Sequence, residues 1–329
     1  MGRYPGLDGL RGIAVALVVM YHGWPDVLPG GAYGVTIFFV LSGYLITRGL
    51  IREPVALGRF YARRAARLLP CLLFVSAASV AFGGAVADAW PALGYVSNWR
   101  LIAGDQLGLM THTWSLSVEE HFYLAWPLVI LVIPARFRFS ATTALLALAA
   151  VWRGAMIAGG ATFERVTVGT DTAAVALIAG CLLAVAHAEG RRMGRGRAVP
   201  VLLAMLAMAA FIPGETDTFL WGGFVIVALS AVLIEAGTRP VRVLELSWLR
   251  WLGTVSYGLY LWHHLLTHLG LPMWAGVGLS VAVAALSWRA LEVPAMRWAS
   301  GRLATRPVAV DAPGTGGRVF GPVLGATNG

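Results

Sequence analysis

The stretch GLDGLRGIAVALVVMYHGW, residues 6–24, decides how this chain is read. It is apolar enough to form a helix through a bilayer, yet it holds Arg11 and His22. Eleven residues are close to three α-helical turns, so the two side chains share one stripe, about 16 Å apart along the axis. Ionisable groups inside a membrane helix are costly and usually functional, so the stripe reads as a site. A signal peptide would also open on an apolar run. Here only Arg3 precedes the run as a basic residue, charge sits within it, and many hydrophobic segments follow, so it reads as a retained helix.

Working outward, 58% of the 329 residues are hydrophobic and 12% charged, with a mean hydropathy of +0.73. A soluble domain carries about a quarter charged residues. The expected fold is therefore an all-α, polytopic membrane bundle embedded in the lipid bilayer. Apolar stretches fall near 10–24, 33–51, 68–87, 118–134, 141–159, 171–188, 199–213, 219–236, 252–270 and 273–291. Several fall short of the roughly 20 residues of a perpendicular span, so some helices are expected to be thinned or broken. We expect about ten transmembrane helices.

The net charge of +9 comes from arginine alone, since the chain has no lysine, and this excludes a lysine nucleophile or Schiff base. So basic a chain raises nucleic-acid binding, but the arginine distribution argues for no nucleic acid. Arginines gather in alternate loops: Arg48, Arg52, Arg59, Arg63, Arg64 and Arg67; Arg136 and Arg138; Arg191, Arg192, Arg195 and Arg197; Arg239, Arg242 and Arg250. The positive-inside rule makes these loops cytoplasmic. The end of the chain adds Arg297, Arg302, Arg306 and Arg318, whereas the opposite loops hold Arg100, Arg165 and Arg153. N- and C-termini are then both cytoplasmic. Residues 1–304 read as one membrane domain and 305–329, rich in Gly and Pro, as a disordered cytoplasmic tail. Segment 88–117, with Trp90, Trp99 and Trp114, suits an interfacial belt or re-entrant structure. Cys71 and Cys181 sit in apolar runs as small hydrophobes, and no metal site is implied.

Arg11 and the cluster RFYARRAARLLP (59–70) form a basic mouth on the cytoplasmic side. Plain positive-inside anchoring explains most such clusters. Arg64 and Arg67, however, are spaced i, i+3 on one face, as a phosphate clamp requires. At the other end, His22 is expected at the depth of Glu119 and Glu120, where adjacent carboxylates can orient an imidazole that takes a proton from a hydroxyl. An acid-rich first helical turn capped by Ser115 or Ser117 is the plain alternative.

Taken together, GLDGLRGIAVALVVMYH (6–22), TIFFVLSGYLIT (36–47), RRAARLLP (63–70), TWSLSVEEHFYLAWP (113–127), WLGTVSYGLYLWH (251–263) and SWRALEVPAMRW (287–298) resemble the acyltransferase family 3 membrane proteins. Each motif is weak alone; six in order are specific. The resemblance implies a membrane O-acyltransferase of the bacterial cytoplasmic membrane, with no permanently bound cofactor. It would move an acyl group, typically acetyl, from acyl-CoA to a hydroxyl of a carbohydrate or glycosylated acceptor. It implies His22, Glu119 and Glu120 as catalytic residues, with His22 acting as general base or as acyl-imidazole. Arg11, Arg64 and Arg67 would bind the donor. Asp8, Trp114, Ser117, Tyr123, Tyr260 and His263 are the candidates for substrate contact, and Tyr257 and Trp262 belong to the same late motif.

The chain also departs from the family pattern. An arginine and an aspartate that relatives place before a Gly-Cys or Gly-Ala pair are Ala173 and Val175 in TDTAAVALIAGC (170–181), with Asp171 as a nearby substitute. His121 stands in place of a common glutamine, and His264–Leu265 in place of an aromatic–proline pair. Some relatives carry an appended esterase-like domain. Without one, direct transfer to the final acceptor is expected. Two other classes remain open: a proton-coupled transporter or flippase using the same ionisable groups, and a catalytically silent family member.

Overall fold

A computed structural model describes residues 4–52, 57–192, 194 and 198–303. The tail expected over 305–329 lies outside the described residues, as do Arg195, Arg197, Arg306 and Arg318. Among the described residues all regular structure is helical. In chain order the α-helices are α1 (Pro5–Gly23), α2 (Tyr33–Arg52), α3 (Leu57–Ala81), α4 (Val86–Leu93), α5 (Ser97–Ile102), α6 (Trp114–Val132), α7 (Arg138–Ala158) and α8 (Phe163–Val168). They continue as α9 (Thr170–Ala188), α10 (Ala198–Phe211), α11 (Asp217–Gly237), α12 (Ser247–Thr254), α13 (Ser256–Thr267), α14 (Met273–Ser287) and α15 (Val293–Leu303).

Each apolar stretch read from the sequence is helical. Six helical segments among the described residues are long and apolar enough to cross a membrane. α3, with Arg64 and Arg67, is one of the six, whereas α1 and α6, with Arg11, His22, Glu119 and Glu120, are not, because ionisable groups lower their apolarity. Three stretches are interrupted, and 68–87 breaks at 82–85 between α3 and α4. Residues 252–270 belong to a broken pair, α12 and α13, parted at Val255, and a π-turn, Trp288–Glu292, joins α14 to α15. Such turns tend to mark functional positions.

Local chemistry sets the helix starts. Pro5 opens α1 with its fixed φ and no orphaned N–H. Thr162 accepts from the Arg165 N–H to cap α8, and Thr216 accepts from the Phe219 N–H to cap α11. Segment 88–117 contributes two short helices, α4 and α5, and a 3₁₀ turn, Gly108–Thr113. Trp90 and Trp99 are exposed there, as an interfacial belt would have them, while His112 is buried.

Small residues set how closely the helices approach. Gly6, Gly9 and Gly12 are buried on one face of α1; a Cβ at Gly9 would lie 1.8 Å from the Leu244 carbonyl oxygen. The α2–α9 pair is as close from both sides, with a Cβ at Gly43 meeting the Leu177 oxygen at 1.9 Å and one at Gly180 meeting that of Val40 at 2.0 Å. Backbones this close leave no room for any side chain. Tyr33, Ile37, Tyr44, Leu177, Ile226 and Leu233 are fully buried in the core formed here. Cys71 and Cys181 are free, buried thiols.

A buried ion network ties α2, α9 and α11 at the end of the bundle where Arg11 lies. Glu235, 2% exposed, receives a close hydrogen bond from His187 Nε2 and pairs with Arg239 at 3.0 Å. The Tyr44 hydroxyl lies 3.1 Å from His187 Nδ1. Removing one partner of a buried pair strands the other charge. Glu235→Ala is therefore expected to destabilise the protein by about 3 kcal/mol, read as a lower unfolding temperature of the purified protein in detergent.

Candidate active site

At the opposite end of α1, where His22 lies, a cavity of about 690 Å³ opens between α1, α2, α7, α9, α11 and the 88–117 segment. Its lining includes His22, His112, Trp114, Arg153, Tyr260 and His264. The size suits one or two sugar rings or another small ligand. A second, smaller cavity of about 60 Å³ is lined by Arg11, Ser42, Ser115, Glu119, Ser256 and Tyr257. Val35, Phe39 and Tyr260 line both cavities. The two spaces thus adjoin along α1, with His22 on one and Arg11 on the other. The break at Val255 brings Ser256 and Tyr257 to the smaller one.

His22 is held in one tautomer. Its Nδ1–H donates to the Val18 carbonyl at 2.9 Å, which leaves Nε2 with the free lone pair. His263 stands behind it. Its own Nδ1–H donates to the Tyr260 carbonyl at 2.7 Å, so its Nε2 is an acceptor, 3.4 Å from His22 Nδ1. His112 completes the group, 5.4 Å from His263 between ring centroids and stacked on His264 at 5.0 Å. His268 stacks on His264 at 4.4 Å. Five of the chain's seven histidines thus form one cluster, of which His22, His112 and His264 line the cavity. Burial first, then the neighbouring imidazoles, holds His112 well below the usual histidine range, so it is neutral. The Tyr260 hydroxyl fixes this corner, donating to the His112 carbonyl at 2.6 Å and lying 2.6 Å from Ser115 Oγ.

The two glutamates are not the partners of His22 that the sequence suggests. Glu119 accepts from Ser42 Oγ at 2.6 Å and faces the smaller cavity with Arg11. Glu120 pairs with Arg64 at 2.6 Å. The reason is register. The apolar stretch taken to start at 118 is a helix from Trp114, so Trp114 lines the cavity with His22 and Glu119 lies five residues, about 7.5 Å, further along the axis. The buried histidine–carboxylate pair of this fold is His187–Glu235, at the other end.

The expected arginine clamp is also altered. The Arg64 guanidinium lies over the Tyr123 ring, 3.2 Å from its centroid, and is committed to Glu120, which leaves Arg67 as the less committed of the two. Arg67 interacts electrostatically with Arg11, Arg64 and Glu292, the last brought in by the π-turn. Tyr123 is thereby a support for Arg64 rather than a wall of the larger cavity. Ser117 is a structural pin, accepting from the Ser97 N–H at 3.2 Å. His263 is wholly buried, behind the His22 ring. Asp8 lies on α1 toward its Arg11 end; a Cβ at Gly253 of α12 would lie 1.8 Å from its carbonyl oxygen. Asp171, the suggested substitute for the departed polar pair, is committed to Arg165 at 2.6 Å and to Trp152 at 2.8 Å.

Five residues of this site escaped sequence reasoning as functional candidates: His112, His264, His268, Arg153 and Glu292. His268 had a readable signal, since HHLLTH places it i, i+4 from His264 on one helical face.

Comparison with known proteins gives the chain's family. Residues 4–291 match the family described as "Acyltransferase domain". Among curated proteins, the peptidoglycan O-acetyltransferase OatA of Listeria monocytogenes is 34% identical, over 88% of this chain and 55% of its own length. The putative peptidoglycan O-acetyltransferase YrhL of Bacillus subtilis is 35% identical, over 82% and 50%. The O-acetyltransferase OatA of Staphylococcus aureus is 34% identical, over 80% and 50%. The chain thus spans about half the length of these relatives. No solved structure matches it. With the family match running from α1 to the π-turn, through every helix that bounds the two cavities, the chain belongs to the acyltransferase 3 family of membrane proteins.

Proposed function

We propose that this chain is a membrane O-acetyltransferase that takes an acetyl group from acetyl-CoA at the cytoplasmic face and places it on a hydroxyl of a cell-wall carbohydrate at the outer face. In this reading ten helices cross the bacterial cytoplasmic membrane, with both termini inside. The arginine-rich loops support that orientation, since Arg48, Arg59 and Arg63 lie with Arg11 at one end of the bundle. The names of the relatives support acetyl as the group and peptidoglycan as the acceptor.

One observation carries the reading: His22, with Nε2 free, lines the larger cavity, and that cavity adjoins a smaller one holding Arg11. The donor's phosphates stay in water against Arg67 and the exposed Arg63. Its thin pantetheine arm passes Arg11, whose Nε is buried with no hydrogen-bond partner among the described residues and so has a donor to offer. The thioester reaches the neck at Val35, Phe39 and Tyr260. There the acceptor oxygen attacks the carbonyl carbon while His22 Nε2 takes the hydroxyl proton. The C–O bond forms, the C–S bond breaks, and the thiolate leaves to be protonated as free CoA thiol. His263 Nε2 holds the His22 Nδ1 proton as the ring becomes positive.

The test is release of free CoA thiol by the purified protein, given acetyl-CoA and a muramic-acid disaccharide. Thiol release that depends on the sugar supports the reading. Proton-linked flux in liposomes without thiol release from any hydroxyl acceptor overturns it in favour of a transporter. Arg11→Ala is expected to raise the KM for acetyl-CoA about tenfold, the size of one lost charged hydrogen bond, with a smaller change in the KM for the sugar.

A further inference from the structure

Arg153 is a buried cation without a counter-ion. It lies on α7, is 9% exposed, and forms part of the wall of the larger cavity. Its Nη1 group donates to two backbone carbonyls, Val166 at 2.9 Å and Thr172 at 3.4 Å. These carbonyls and the Phe224 ring, 5.9 Å from the guanidinium carbon, hold the head of the side chain, but no carboxylate pairs with it among the described residues. Its Nε and Nη2 hydrogen-bond to no described residue. Space for them is kept by Gly223, where a Cβ would come within 3.3 Å of Nη2. The neighbouring wall, Ala173 and Val175, is apolar.

A charge taken out of water this completely is tolerated when a ligand neutralises it. The other ionic groups of this cavity do not serve. Asp105 is committed to Arg100 at 2.5 Å. Glu164 and Glu215 are exposed at the mouth, in solvent that screens them. Among the described residues Arg153 is the one arginine in the lining of this cavity, and a guanidinium can match a carboxylate in two-point geometry.

We propose that the acceptor cavity takes a sugar bearing a free carboxylate, and that Arg153 binds that carboxylate while the hydroxyl to be acylated lies at His22. The second half of this statement rests on the function proposed above; the first does not. Two probes separate them: the disaccharide of N-acetylglucosamine and N-acetylmuramic acid, and the same disaccharide with its carboxyl converted to the methyl amide. Binding is measured by calorimetry on the purified full chain, and acetylation by mass spectrometry.

The wild type is expected to bind the free acid about 10- to 100-fold more tightly than the amide, the span of one charge-assisted pair. Arg153→Met should abolish that preference, and Arg153→Lys, which keeps the cation but loses the fork, should retain part of it. Equal binding of the two probes by the wild type overturns the proposal. So does a preference that survives in Arg153→Met, or the loss of all binding in both variants, which would mark the arginine as structural. An Arg153-dependent preference without acetylation of either probe leaves the carboxylate site standing and overturns the acetyltransferase reading instead.

Discussion

Replacing His22 with alanine is expected to lower acetyl transfer by a factor of about 10² to 10⁴, the usual contribution of a positioned general base. Neither His263 nor His112 is placed to take over. His263 has its Nδ1–H on the Tyr260 carbonyl and its Nε2 turned to His22 Nδ1, and His112 is held neutral deep in the 88–117 segment. The ring sits at the end of α1 with a single backbone hydrogen bond, so its loss should scarcely move the unfolding temperature. The measurement is thiol release and acetyl incorporation, together with acetyl-CoA binding, which should persist because the arginines at the far end of α1 remain. Transfer by His22→Ala at the wild-type rate would place the reacting groups elsewhere.

Gly180→Leu is expected to prevent assembly of the bundle. The first atom of the new side chain would lie 2.0 Å from the Val40 carbonyl oxygen and 2.7 Å from the Tyr44 nitrogen. Both belong to backbone and cannot turn aside. Overpacking against mobile side chains already costs about 1–3 kcal/mol, and separating two backbones costs more. That is a large share of the roughly 5–15 kcal/mol that stabilises a typical fold. The variant should show little folded protein after detergent extraction, by fluorescence size exclusion. Gly49→Ala, on the same α2 but with nothing within 4 Å of its new Cβ, should be tolerated. Wild-type yield of folded Gly180→Leu would show that α2 and α9 do not meet as described.

The class of fold was legible because solvent imposes it. A chain with so few charges, in runs of helical length, must satisfy its backbone internally in lipid, and helices do so residue by residue. The positions of the long apolar helices were legible for the same reason, though those of the short α4, α5 and α8 were not, and His22 and Arg11 stood out as costly residues in one such run. Helix starts were less so. The α6 boundary shows why: Thr113, Trp114 and Ser115 are not apolar as a group, so hydropathy begins the helix at Val118, while the backbone begins it at Trp114. Four residues exceed a full turn. That shift moves Glu119 and Glu120 from the neighbourhood of His22 to that of Ser42 and Arg64.

The sequence by itself determined the all-helical membrane fold and the Arg11–His22 stripe, because these depend on periodicity and hydropathy along one strand of chain, while six motifs in order carried the resemblance to the family. Only the tertiary structure decided which groups share the cavity. His112 arrives from a 3₁₀ turn, His263 and His264 from beyond a helix break, and Arg153 from α7, all far from His22 in sequence. Helix rotation and register place them, and these are set by contacts such as Gly43 on Leu177 and Gly180 on Val40. Such contacts form between segments, and no local pattern within either segment encodes them.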